Sequence, residues 1–260
     1  MAPIKAPKPD AVSIPWWFHH ESWTTPWSST SGDFPPEETE REHRHRLRQL
    51  RIQPWFTSAG CEATSLLKNE IRRRWPWGYT IYRTVYTPES DLYWDAAVDA
   101  VRAHIFATLD WHLEHGRREN EQSHRLLRDG YRSLVFEDKT RFDGATIAQV
   151  REDFRAFVDN DVGALGNRFR WCLVFNEEAL QSFIRYPEPL ALPDQERADP
   201  TEKSGAWVIV VEPKYEQTAQ YSGYMRIHLN RLFRLANMGD VVPMSEMCTL
   251  FENIPWYNDF

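Results

Sequence analysis

Two adjacent carboxylates, Glu177 and Glu178, follow Asn176 at the end of the apolar run Trp171-Cys172-Leu173-Val174-Phe175. Neighbouring acids at the carboxyl end of a strand can hold an amine or a guanidinium, or take a proton as general base. Ligand sites in sheet-and-helix folds collect at such ends. The same three residues also have an architectural reading. Asn176 is a good N-cap, and acids in a first helical turn are favoured by the helix dipole by about 0.3–1 kcal/mol each. Arg83 is the second candidate. On a regular strand it shares a face with Ile81 and Val85, so it must be paired or must reach past the sheet. It suits an anionic substrate group, or an ion pair with Glu137 or Asp138. A third candidate is a pair of basic segments, Arg41 to Arg51 and Lys68 with Arg72, Arg73 and Arg74, near Trp55, Trp75 and Trp77. Arginines beside stacking aromatics are the chemistry of RNA binding. With Glu37, Glu38, Glu40 and Glu42 in the first segment, a solvated helix face is the competing reading.

The histidines form only two close pairs in the body, His43 with His45 and His112 with His115; the second pair could share a helix face, but no carboxylate or cysteine completes a ligand set. No metal is therefore expected. No glycine-rich phosphate loop and no Gly-x-Ser-x-Gly elbow occurs, and no cofactor is expected.

These side chains need elements to position them. The stretch 77–86 alternates β-branched and aromatic residues and reads as a strand. Thr87 then offers an N-cap, Pro88 the first helical position, and Glu89 and Asp91 first-turn acids. Trp94, Val98, Val101, Ile105 and Leu109 give one apolar stripe, so a long helix spans about 88–113. A charged helix or loop follows at 117–130, then a short strand at 133–137. Thr146 to Gln149 has capping-box spacing and opens a helix carrying Ile147, Val150, Phe154 and Phe157. Further strands are expected at 168–175, where odd positions should face the core, and at 207–211. Helices are expected at 35–53, closed by Pro54, at 63–74, and at 224–235. A long surface loop spans 186–205, and 243–260 reads as irregular. The fold class is α+β or α/β, a sheet of roughly four strands with helices packed on it. One such domain occupies 35–260. Residues 1–34 form an irregular arm rich in proline and tryptophan, expected to pack on the body.

The 260 residues carry a net charge of −7, 42% hydrophobic and 14% aromatic residues, and 12 tryptophans. That composition supports a substantial core, and the charge argues against global attraction to polyanions, so no DNA partner is expected. Three isolated cysteines point to a reducing compartment. Without a signal-like segment or an apolar run of about 18 residues, a cytoplasmic protein with no membrane partner is expected.

Three blocks, WGYTIYRTVYTPESD (77–91), FEDKTRFDGATIAQVREDF (136–154) and FRWCLVFNEEAL (169–180), resemble a large, mostly uncharacterised set of proteins of filamentous fungi. That set is similar to the fungal arginine-containing cyclodipeptide synthases, which join arginine to a second amino acid from charged tRNA and release a diketopiperazine. Their hallmark is Asp-Asp-x-x-Glu; the matching stretch here is Glu177-Glu178-Ala179-Leu180-Gln181, with glutamine in the last place. The resemblance implies catalytic roles for Glu177 and Glu178, substrate contacts from Arg83 and Gln181, and aminoacyl-tRNA held by Arg72, Arg73 and Arg74. A different class of function, a non-catalytic interaction module using the aromatic arm, is the alternative.

Overall fold

The computed structural model describes residues 27–28, 45, 48–57, 61–72, 76–116, 119–160, 166–187, 205–215, 221–238 and 242–250. They form an α+β fold around a mixed sheet. Its strands are β1 (Trp27–Ser28), β2 (Thr80–Arg83), β3 (Leu134–Phe136), β4 (Cys172–Phe175), β5 (Trp207–Val211) and β6 (Tyr224–His228), in the order β1-β3-β2-β4-β5-β6. β1, β3, β2 and β4 run parallel, with Thr80 opposite both Leu134 and Cys172. β5 and β6 add as antiparallel neighbours beyond β4.

The helices are α1 (Pro54–Thr57), α2 (Glu62–Arg72), α3 (Pro88–His115), α4 (Glu121–Asp129), α5 (Lys139–Phe142), α6 (Ile147–Asn160), α7 (Asn167–Arg170), α8 (Glu177–Arg185), α9 (Leu232–Met238) and α10 (Met244–Leu250). Alternate strand residues supply two cores, as the pleat requires. Ile81, Leu173, Phe175, Val208, Val210, Met225 and Ile227 face α2, α3, α4, α8 and α9. Tyr82, Leu134, Phe136, Cys172, Val174, Ile209 and Val211 face Phe142 of α5 and Val150 and Phe154 of α6. β2 leads to β3 on one side through α3 and α4, and β3 leads to β4 on the other side of β2 through α6. Crossovers of one hand that step in opposite directions must lie on opposite faces of the sheet, and these do.

Several elements differ from the sequence reading. The stretch 224–235 is not one helix. Tyr224–His228 is an edge strand paired with β5 from Trp207↔His228 to Val211↔Tyr224, followed by a 3₁₀ turn, Leu229–Arg231, and then α9. Met225 and Ile227 alternate inward at period two, and Gly223, at φ 81°, makes the turn into the strand. The stretch 168–175 splits into one turn of helix, α7, and four strand residues buried on both faces, because helices cover both. Residues 244–250 are helical rather than irregular. The sheet has five strands and the two-residue β1, more than the four expected. β1 also gives the arm a regular piece, paired with β3. The rest of the arm, most of the 186–205 loop and most of the 35–53 helix lie outside the described residues.

Other readings match. Thr87 caps α3, its side chain accepting from the Ser90 N–H, with Pro88 at the helix start. The capping box at α6 forms: Gln149 N–H donates to Thr146 Oγ1 at 3.3 Å, and Thr146 N–H to Gln149 Oε1 at 2.9 Å. No helix among the described residues is long and apolar enough to cross a membrane.

Candidate functional site

All three central parallel strands end the same way, in a polar cap followed by acids or an acid cap. β2 runs into Thr87-Pro88-Glu89, β3 into Glu137-Asp138, and β4 into Asn176-Glu177-Glu178. Asp138 accepts from the Thr140 N–H at 2.9 Å, and Asn176 from the Ala179 N–H at 3.0 Å. Each cap satisfies donors that the start of a helix leaves free. Because the strands are parallel, the three caps lie along one edge of the sheet. β2 and β4 are adjacent there, the chain stepping from β2 toward β3 and from β4 toward the antiparallel β5.

α3 and α8 leave this edge on the same face and pack together, which brings their first turns side by side. Gln181 lies between them. Its Nε2 donates to Glu177 Oε1 at 3.0 Å and to Glu89 Oε2 at 2.6 Å. One amide nitrogen thus holds two exposed carboxylates from different helices. At about 5 Å two such charges repel by roughly 1 kcal/mol in water, and the positive ends of two helix dipoles offset that repulsion. Glu178 diverges from this group. It pairs at 2.6 Å with Arg226 of β6, whose guanidinium lies over the Trp207 ring. The two adjacent acids therefore face different partners, one beside Gln181 and Glu89 and one toward the antiparallel edge.

Arg83 lies beneath this edge, 7% exposed. Its Nε donates to the Val85 carbonyl at 2.9 Å, and its Nη2 to Ser90 Oγ at 2.9 Å and to Asp91. The guanidinium also lies over the rings of Tyr86 and Trp94. Its acidic partner is Asp91, from the first turn of α3 that folds back over the end of β2, and neither Glu137 nor Asp138. Glu137 instead accepts from the Trp94 indole at 2.5 Å.

Arg72, the described member of the arginine cluster, is elsewhere. Arg72 closes α2, and the chain then enters the amino end of β2 through Trp77, the edge opposite Glu177. Arg73 and Arg74 lie outside the described residues, as does the side chain of Arg72. His112 lies 3.7 Å from Glu62, but no group of three or more metal-ligating side chains forms among the described residues. A separate buried network pins α2 to α4. Cys61 and Thr64 are 3.1 Å apart, Thr64 and Ser123 hydroxyls 2.7 Å apart, and His124 meets Glu119 at 2.6 Å. Burial raises the Cys61 thiol above its ordinary range, and Glu119 beside it adds to the rise, so this cysteine is a structural thiol rather than an activated one.

Sequence reasoning missed Glu89 and Arg226 as members of the site. Glu89 had a signal: the strand–cap–acid pattern occurs at both 80–89 and 172–178, and parallel neighbours place such caps together. Arg226 had none, because the apolar residues of 224–235 fit a helical stripe as well as a strand.

Comparison of the chain with protein-family models, with curated proteins and with solved structures found no match.

Proposed function

We propose that the carboxyl edge of β2 and β4 handles the cationic groups of an aminoacyl substrate, in a tRNA-dependent cyclodipeptide-synthase-like reaction that joins arginine to a second amino acid. The observation that carries this reading is the single Gln181 nitrogen shared by Glu177 and Glu89 at 3.0 and 2.6 Å. A primary amide there donates two N–H bonds into two carboxylates, and an α-amine or one edge of a guanidinium donates in the same pattern, with charge added. The resemblance of the three sequence blocks supplies the reaction class.

In this reading Glu177 orients the α-amine of one aminoacyl ester and accepts its proton. The amine nitrogen attacks the carbonyl carbon of the second ester, an amide bond forms, and the ester bond to the tRNA ribose breaks. The proton passes from the carboxylate to the departing ribose oxygen. A second aminolysis of the same kind closes the ring and frees the other tRNA. Both esters arrive activated, so no nucleotide triphosphate enters. Glu178, held by Arg226, keeps the start of α8 in register, and Arg83 supports the α3 turn that presents Glu89. Arg72, Arg73 and Arg74 are the proposed phosphate contacts.

The test is expression of the full chain in a bacterial or fungal host, with mass spectrometry for arginine-containing diketopiperazines. The expected result is product from the wild type, at least tenfold less from Glu177→Gln and Glu89→Gln, and an unchanged melting temperature in both variants. Absence of product, together with absence of co-purifying tRNA at low salt, overturns the reading.

A further inference from the structure

His104 lies in the buried stripe of α3, 3% exposed, and neither of its ring nitrogens has a hydrogen-bond partner. One turn further on, the Thr108 hydroxyl shares its one hydrogen between the His104 carbonyl at 2.9 Å and the Asn230 carbonyl at 3.3 Å. This part of the helix is thereby tied to the 3₁₀ turn Leu229–Arg231. His228 ends β6 immediately before that turn. The titratable or charged groups that bear on this corner are His228 from β6 and Arg231 from the turn; α9 contributes the apolar Leu232 and Phe233. Among the described residues no carboxylate bears on either ring.

A buried imidazole without partners is stable only when neutral, because a charged one has lost its water and gained nothing in exchange. Desolvation first, and the neighbouring His228 second, hold His104 down to about 4. Burial also lowers His228, against hydrogen bonds to the Ala206 and Gly205 backbone that raise it, and Arg231 acts in the same direction as burial.

We propose that this corner is an acid-sensitive latch, in which proton uptake by His104 releases β6 and the 3₁₀ turn from α3. β6 also carries Arg226, the partner of Glu178, so opening the latch loosens the antiparallel side of the candidate site. The sign follows from proton counting. Between about 4 and the ordinary 6.5 the open state binds more protons than the closed one, so closure weakens as pH falls through that window.

The experiment is hydrogen exchange on the full chain at pH 7.5 and pH 5.0, corrected for intrinsic rates and read on peptides covering 224–238. With those two affinities the opening equilibrium rises roughly 30-fold on acidification. The wild type is expected to show that rise, and His104→Phe to lose most of it. An equal rise in the variant overturns the proposal. Should His104→Phe fail to fold, the imidazole of His104 in the wild type is followed by NMR. A ring still neutral at pH 5.5 supports the latch, and a midpoint near 6.5 overturns it.

Discussion

Replacing Arg83 with leucine separates two accounts of what this arginine does. Its guanidinium makes hydrogen bonds to the Val85 carbonyl and Ser90 hydroxyl, a pair with Asp91, and contacts with the Tyr86 and Trp94 rings. Hydrogen bonds from a buried charged donor are worth about 1.5–3 kcal/mol, and a desolvated cation over a ring about 1–2 kcal/mol. Asp91 contributes little of this, because its side chain is 60% exposed and such pairs are worth under about 1 kcal/mol. The Val85 carbonyl keeps a second donor, Ser90 Oγ at 3.0 Å, whose one hydrogen it shares with the Thr87 carbonyl at 2.8 Å, which partly limits the damage. The expected cost of Arg83→Leu is therefore about 3–4 kcal/mol, and of Asp91→Asn under about 1 kcal/mol. Urea unfolding followed by tryptophan fluorescence reads both, and with a slope near 3 kcal/mol/M the first variant shifts the midpoint by about 1 M. The reasoning is refuted if Arg83→Leu costs under about 1 kcal/mol, or if Asp91→Asn costs as much as Arg83→Leu. The first result moves Arg83 from the scaffold to the substrate; the second makes the Asp91 pair the main structural contact of Arg83.

Gly78→Ala is expected to destabilise by about 2–3 kcal/mol in a thermal melt, because φ is 149° and a Cβ there meets the Arg132 carbonyl oxygen at 2.3 Å. Thr146→Ala removes the acceptor for the Gln149 N–H and one half of the capping box, and about 1 kcal/mol of stability should go with it, measured in the same melt.

The segments that could be read from sequence are those whose signals are local and agree. The β2–α3 junction combines alternation, a capping threonine, a proline at the helix start and first-turn acids within a few residues, and all of them point to one boundary. The α6 capping box is equally self-contained. Residues 224–235 defeated the same reasoning for a physical reason. Five residues with Met225 and Ile227 inward fit period two, but with Leu229, Leu232 and Phe233 they also fit a helical stripe. The choice was made by β5, which pairs along the whole of β6 and lies outside the window. The partner of Arg83 comes from the helix turn that returns over the strand end, while a strand pattern points only to neighbouring strands. The closeness of Glu89 and Glu177 depends on β2 and β4 being neighbours, a fact of topology that no local pattern carries.

The parallel centre of the sheet also dictates a schedule for synthesis. β2 pairs with residues 134–136 on one side and 172–175 on the other, so it leaves the ribosome long before either neighbour exists. Until Phe175 has emerged, an apolar strand with open margins must be kept from nascent chains alongside it. Slow translation through 84–171 prolongs that exposure, and recombinant yield will therefore depend on elongation rate and chaperone supply across this interval more than on the final stability of the folded molecule.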